Sequence, residues 1–155
     1  MITAFLEHID ACPTAHHVVE RASSILGQNG IHQVSLNSPF ATSSLSNGFV
    51  SSGGTIIAWK NVQSISEQGI RIVGAHTDSP GLHLKPNPDT RILNWQQLQV
   101  EVYGGPLLNS WLDRDLAIAG HVVLRDGTTT LFSSLKPVAR IPQLAIHLDR
   151  EVNDK

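Results

Sequence analysis

The most constraining feature of this sequence is a short apolar run that ends in a histidine. Residues 70–75 read Ile-Arg-Ile-Val-Gly-Ala, and a run of this length predicts a strand in the interior of a sheet. His76 follows directly, and Asp78 comes two residues later. Open α/β sheets bind ligands just outside the carboxyl ends of their strands, so a functional site is expected at this point.

The patterns on either side of this strand predict an α/β fold with a partly parallel sheet and flanking helices. A helix is expected to begin after Thr14, its N-cap, and to stop at Gly27 and Gly30; a shorter helix over residues 1–9 would pack beside it. From Pro142 onward, apolar residues recur at helical spacing and predict a last helix. Further strands are expected at 48–51, 55–59, 97–103, 119–124 and 130–133, the last two joined by a turn at Asp126-Gly127.

Composition excludes several classes of protein. A chain of 155 residues allows one core, or one core and an arm. Eleven Lys and Arg against thirteen Asp and Glu leave no basic surplus, so no nucleic-acid partner is expected. The single cysteine excludes a disulfide framework. No apolar stretch approaches the ~20 residues of a membrane span, and residues 1–12 lack the basic start of a secretory signal. We therefore expect no membrane partner and a cytoplasmic location.

The pair His76 and Asp78 is compatible with metal binding. An imidazole can bind a metal through one ring nitrogen while a carboxylate, hydrogen-bonded to the other nitrogen, fixes the tautomer. Two residues apart in an extended segment, the two side chains leave the chain on the same side. The alternative is a surface turn in which both side chains bond only to nearby backbone groups.

Longer stretches of sequence resemble a known family. The string His76–Pro80 followed by Leu84–Pro86 resembles the signature of the aspartyl aminopeptidases, a family of cocatalytic zinc peptidases. Residues 103–105 with 109–120, and then 141–150, are similar to further stretches of that family in the same order. The resemblance covers essentially the whole chain, from about residue 12 to residue 153.

The resemblance implies an aminopeptidase with two zinc ions per complete active site. Its substrates would be peptides with an acidic amino-terminal residue, Asp or Glu, and the protein would be a homo-oligomer. By motif, His76 would be the first metal ligand and Asp78 the residue that orients it. His147 would correspond to a family histidine that one subunit presents to the active site of its neighbour. The residues alone also allow His147 to be an ordinary solvated histidine.

This sequence also departs from the family pattern. It contains no two adjacent glutamates, whereas the family uses such a pair as general base and metal ligand. A catalytic zinc site needs about three protein ligands, and only His76 is matched here. We therefore expect the amino-terminal part of an aminopeptidase that is inactive alone. Residues 1–87 would begin an incomplete catalytic domain, and 88–155 would start a β-rich oligomerisation domain.

Three alternatives stay open. The chain could be a non-catalytic assembly or regulatory module that binds copies of itself or a longer relative. The segment Asp113-Arg114-Asp115 could recognise a substrate carboxylate, or could form an ion-pair network that holds a turn. Cys12 lies just before a helix start, where a thiolate would be favoured, and could be a catalytic thiol; because no His-Asn constellation accompanies it, we expect an ordinary thiol.

Overall fold

A computed structural model describes residues 2–37, 39, 46–60 and 69–151. The chain divides into two compact units, Met1–Asp78 with Ala119–Phe132, and Ser79–Ile118 with Ser133–Lys155. In chain order the elements are α1 (Ile2–Ala11), α2 (Ala15–Gln28), β1 (Gly48–Ser52), β2 (Thr55–Trp59), β3 (Gly81–Ile92), β4 (Trp95–Tyr103), a 3-10 helix (Leu108–Trp111), β5 (Asp115–Leu116), β6 (Ala119–Val123), β7 (Thr129–Ser133) and β8 (Ala139–Arg140).

The first unit begins with the two predicted helices. Thr14 is the N-cap of α2 in an extended conformation, as expected, but its hydroxyl bonds to Nδ1 of His17 at 2.7 Å instead of capping the backbone. Beyond the end of α2, Gly30 has a φ of +74°, a conformation that favours glycine. The helix predictions for this part of the chain are confirmed.

An antiparallel hairpin, β1 with β2, packs in the same unit as α2. Its turn is Gly53-Gly54, as predicted, and Gly53 adopts a φ of +55°. Among the described residues the buried hydrophobic side chains are Val19 of α2, 7% exposed, and Phe49 of β1, 3% exposed. This small core therefore joins the helix to the hairpin.

The strands β6 and β7 also belong to this unit and pair with each other. The turn between them is the predicted Asp126-Gly127, with Gly127 at a φ of +85°. The Asp126 carboxylate accepts bonds from the backbone N–H and the hydroxyl of Thr128, at 2.9 and 2.7 Å. These bonds, the hydroxyl's above all, hold the pKa of Asp126 below its usual value.

The second unit contains a long two-stranded ribbon, β3 with β4. Its register shifts between Leu84 and Asp89, so the proline-containing stretch 85–88 lies outside the ladder. A two-residue turn, Leu93-Asn94, closes the ribbon with both residues at positive φ. Every residue of β4 is exposed, whereas the alternation of 97–103 had predicted a half-buried strand. His83, on β3, is exposed as a surface strand position would be.

Two sequence predictions are wrong. Residues 69–80 carry no strand, and Ile72 and Val73 are 87% and 96% exposed. A strand needs a neighbour for its backbone N–H and C=O groups, and within the described ranges none lies beside this run. Residues 142–151 form turns around 146–148 instead of a helix. There, the carbonyl oxygen of Ala145 accepts bonds from the N–H groups of Leu148 and Asp149, and up to residue 151 the chain has no helical assignment.

The mixed α/β character is confirmed, but the partly parallel sheet is not. The described strands form four two-stranded sheets, and the pairs β1–β2, β3–β4 and β5–β8 are antiparallel. Parallel pairing in this part of the chain is confined to single bridges, Gln33 with Phe49 and Leu112 with Ile141. The assignment of 1–87 and 88–155 to a catalytic and an oligomerisation domain stays a prediction. None of the described helices has the length and apolar character needed to cross a membrane.

Candidate metal site

His76 lies in the segment without secondary structure that precedes β3, and its side chain is 80% exposed. Its Nδ1 lies 2.7 Å from the backbone carbonyl oxygen of Asp78. A carbonyl oxygen only accepts, so Nδ1 carries the proton and donates it in this bond. The neutral ring then has its lone pair on Nε2. Metal-binding histidines commonly have this arrangement, with the second nitrogen bonded to a carbonyl or carboxylate.

The Asp78 side chain also faces the imidazole. Its Oδ1 lies 3.4 Å from Nδ1, farther than the backbone oxygen of the same residue. The shorter contact sets the tautomer, and the carboxylate adds negative charge beside the ring. The sequence indicated a carboxylate bonded to the second nitrogen; the structure puts the backbone in that position. The role of Asp78 in catalysis stays a prediction.

Thr77, between these two residues, ties the segment to the β1–β2 turn. Its hydroxyl donates a bond of 2.6 Å to the carbonyl oxygen of Gly54, and this contact is partly buried. A Cβ added at Gly54 would lie 3.0 Å from the Cβ of Ala15, the first residue of α2. The turn that receives the Thr77 bond is thus packed against the start of a helix.

The other predicted site residue is far along the chain. His147 lies in the turn at 146–148 of the second unit and is exposed. Across the ranges that the structure describes, no group of three or more His, Cys, Asp or Glu side chains is placed to hold a metal ion. His76 therefore fits one ligand of a metal centre, and the remaining ligands of a closed site are not assembled around it here.

The Asp113–Asp115 segment forms an ion-pair network, one of the two alternatives. Arg140 of β8 approaches the carboxylates of Asp113 and Asp115 at 3.7 and 3.4 Å and donates to the Asp113 carbonyl at 2.9 Å. Arg114 points to a backbone oxygen, that of Ser110, at 3.2 Å. Asp113 has a φ of +50°, so these contacts hold a strained turn.

Sequence reasoning missed a histidine pair in the first unit. The rings of His16 on α2 and His121 on β6 lie 4.1 Å apart between centroids, and both line one cleft. Burial lowers the pKa of His16, and His121 and His17 lower it further; a bond to the Gly53 carbonyl opposes them. Neither residue has a partner at recognisable spacing in the sequence, so only the fold reveals the pair.

The thiol of Cys12 is not shifted towards the thiolate, although its position before a helix start had suggested such a shift. Its Sγ lies 3.9 Å from Nδ1 of His8 and 3.9 Å from the carbonyl oxygen of His17. Burial raises the pKa of the thiol, and Arg21 opposes this to a smaller extent. The thiolate is therefore disfavoured, and the helix start does not activate this cysteine.

Comparison with known proteins identifies the family. A family model described as "Aminopeptidase I zinc metalloprotease (M18)" matches residues 8–155. The "Probable M18 family aminopeptidase 2" of Streptomyces coelicolor is 47% identical over 146 residues, which are 94% of this chain and 34% of that protein. The chain thus spans about a third of the length of the curated relatives it matches.

Solved structures give the same result. The structure titled "Cryo-EM structure of the Ape4 and Nbr1 complex" matches with a TM-score of 0.85 and 33% identity, covering 99% of this chain and 31% of that one. The mApe1 dodecamer of S. cerevisiae matches with a TM-score of 0.80 and 28% identity, over 94% and 36%. The resemblance to the aspartyl aminopeptidases is confirmed, and the chain belongs to the M18 family of zinc aminopeptidases.

Proposed function

We propose that this chain supplies the amino-terminal third of a two-zinc aminopeptidase, with His76 as its first metal ligand. The observation that carries the proposal is the hydrogen bond from Nδ1 of His76 to the Asp78 carbonyl, which leaves Nε2 available to a metal. The family match over residues 8–155 supports the metallo-aminopeptidase class. The relatives are about three times as long as this chain. This length supports the proposal that the remaining ligands belong to the two thirds of the relatives that the chain does not match.

The chain's own contribution to the reaction is to hold a ligand in position. His76 would hold one zinc through Nε2, while its Nδ1 proton stays on the Asp78 carbonyl. The Asp78 carboxylate would add negative charge on the side of the ring away from the metal. Zinc in such a site lowers the pKa of bound water and polarises the scissile carbonyl.

The finer features of the function are proposals as well. The substrates would be peptides with an amino-terminal Asp or Glu, following the family resemblance. The dodecameric match supports a homo-oligomer. The role of His147 at a neighbouring subunit's active site is a proposal that follows from the family resemblance alone. A cytoplasmic location also stays a proposal.

A chimera tests this proposal. This chain would replace the matching third of the Streptomyces coelicolor relative, and the purified product would be assayed with aspartyl, glutamyl and leucyl anilides in the presence of Zn²⁺. We expect hydrolysis of the acidic substrates, at least about tenfold faster than that of the leucyl substrate. The chain alone, assayed in the same way, should be inactive.

The outcomes separate the candidate functions. A folded, oligomeric chimera without hydrolysis of any of the three substrates would overturn the catalytic proposal. It would favour the assembly module, which the exposed ribbon of β3 and β4 makes a structural alternative. A chimera that hydrolyses only the leucyl substrate would overturn the acidic preference and keep the peptidase.

A further inference from the structure

We propose that Thr77 is a positioning residue for the metal ligand, acting by fastening the segment around His76 to the Gly53-Gly54 turn. This inference rests on the proposed function, because it assigns a task to a neighbour of the proposed ligand. Thr77 itself contacts no metal and no substrate in this account. Its effect on the imidazole is transmitted through one peptide unit.

The segment around His76 has no regular backbone pairing to hold it in the described part of the chain. Residues 69–80 have no secondary structure, and most of them are exposed. The contacts of His76 with Asp78 join residues only two positions apart, so they shape the segment without fixing its place on the protein. A metal ligand needs a fixed place, since small displacements weaken coordination.

Thr77 makes a short, partly buried hydrogen bond to a residue distant in sequence. Its bond to the Gly54 carbonyl is short, 2.6 Å, and spans 23 residues of sequence. Thr77 is half-buried, unlike its exposed neighbour His76. Partial burial protects the bond from competing water, so this bond can hold the segment where an exposed one would exchange.

Gly54, which accepts the Thr77 bond, is packed against a helix. Gly54 is half-buried and packed so closely on Ala15 of α2 that a Cβ there would come within 3.0 Å. A Cβ added at the preceding residue, Gly53, would lie 4.0 Å from Cε1 of His16 in the same helix. Both residues of the turn therefore lie against the helix, and the second of them accepts the Thr77 bond. The Thr77 bond thereby fixes the position of His76 relative to the start of α2.

The test combines NMR of the whole chain, with ¹⁵N-labelled backbone, and Zn²⁺ binding by the chimera with the Streptomyces coelicolor relative, which supplies the other proposed ligands. NMR reports the order parameters of the amides at 76–78, and competition with a chelator reports the Zn²⁺ affinity of the chimera. Thr77→Val keeps the side-chain shape and removes the donor, and Thr77→Ser restores the hydroxyl. Thr90→Val, on β3, is the matched control for a threonine-to-valine change.

We expect Thr77→Val to weaken Zn²⁺ binding by the chimera about tenfold, the lower end of the effects of removing groups that orient ligands. The amides at 76–78 should become mobile in the same variant. Thr77→Ser and Thr90→Val should stay within twofold of the wild type in binding. If Thr77 had only a structural role, Thr77→Val would lower global stability, and Thr77→Ser would not restore Zn²⁺ binding.

Two results would overturn the inference. One is that Thr77→Val leaves Zn²⁺ binding and the order of the amides at 76–78 unchanged. The other is that Thr77→Ser binds Zn²⁺ as weakly as Thr77→Val does. Failure of the underlying function has a separate signature, because His76→Ala would then leave Zn²⁺ binding by the chimera unchanged. That result would remove the metal role and the positioning role together.

Discussion

The imidazole of His76 is bonded to the backbone of Asp78 and only approached by its carboxylate, with Nδ1 2.7 Å from the carbonyl oxygen and 3.4 Å from Oδ1. The backbone carbonyl of Asp78 therefore sets the tautomer of His76, while the side chain of Asp78 supplies the nearby negative charge. Substitution can separate them, because a side-chain change removes the charge and keeps the backbone acceptor.

Asp78→Asn should keep the Nδ1-protonated tautomer of His76 and weaken its Zn²⁺ binding by about tenfold. The backbone bond does not depend on the side chain, whereas the carboxylate charge favours a cation on the ring. Two-bond ¹H–¹⁵N spectra of the imidazole read the tautomer, and a Zn²⁺ titration reads the affinity. A switch to the Nε2-protonated tautomer in this variant would contradict the backbone assignment.

Arg140→Ala should lower the free energy of unfolding by about 1–2 kcal/mol. The variant loses one hydrogen bond to a backbone carbonyl and two exposed ion pairs, of which the pairs contribute little. Urea unfolding measures the difference, and Arg125→Ala, an exposed residue between β6 and β7, is the control. Equal stability of the two variants would show that Arg140 does not hold the turn at Asp113.

Gly48→Ala should destabilise the chain by about 1–3 kcal/mol, as overpacking does in well-packed sites. A Cβ at this buried position would lie 2.7 Å from Cζ2 of Trp59 and 3.0 Å from Cγ2 of Val34. Gly27→Ala, with open space around it inside α2, should instead stabilise by about 0.5–1 kcal/mol. The urea unfolding midpoints of the two variants test whether the first change destabilises the chain and the second stabilises it. A stabilising Gly48→Ala would contradict the close packing around β1.

Protonation of His16 should weaken the first unit. Because burial, His121 and His17 lower the pKa of His16, the folded chain binds this proton less readily than the unfolded chain does. Its contribution to stability is thus present above the unfolded pKa of about 6.5 and is lost as the pH falls. The charges facing His16 also include Glu20 on the same cleft.

An NMR titration of the His16 ring measures this effect. We expect His16 to titrate below its ordinary value in the wild type and closer to it in His121→Gln. Titration at or above the ordinary value in the wild type would show that the ring contact does not form in solution.

Elements with local signals were predictable from the sequence. The start of α2 at Thr14, the turn at Gly53-Gly54 and the turn at Asp126-Gly127 depend on residues only a few positions apart. Capping and left-handed turn geometry are set by such neighbours. His76 and Asp78 are adjacent in space for the same reason, because both lie in one short segment.

Features that depend on distant partners were not predictable. The apolar run 70–75 indicated a buried strand, but its pattern does not say which strand would lie beside it, and it is exposed here. The periodicity after Pro142 indicated a helix without specifying a surface to pack on. The hydrogen bond from Thr77 to Gly54 joins residues 23 positions apart, and no local sequence pattern predicts it.

The most direct test of the central claim is the effect of His76→Ala on the chimera with the Streptomyces coelicolor relative. Its zinc content and its hydrolysis of aspartyl anilide should be compared with those of His83→Ala, an exposed histidine on β3. We expect His76→Ala to lose zinc and at least about a thousandfold in hydrolysis, since a catalytic zinc rarely tolerates loss of one of about three ligands. His83→Ala should keep both. Full zinc content and full hydrolysis in His76→Ala would contradict the account.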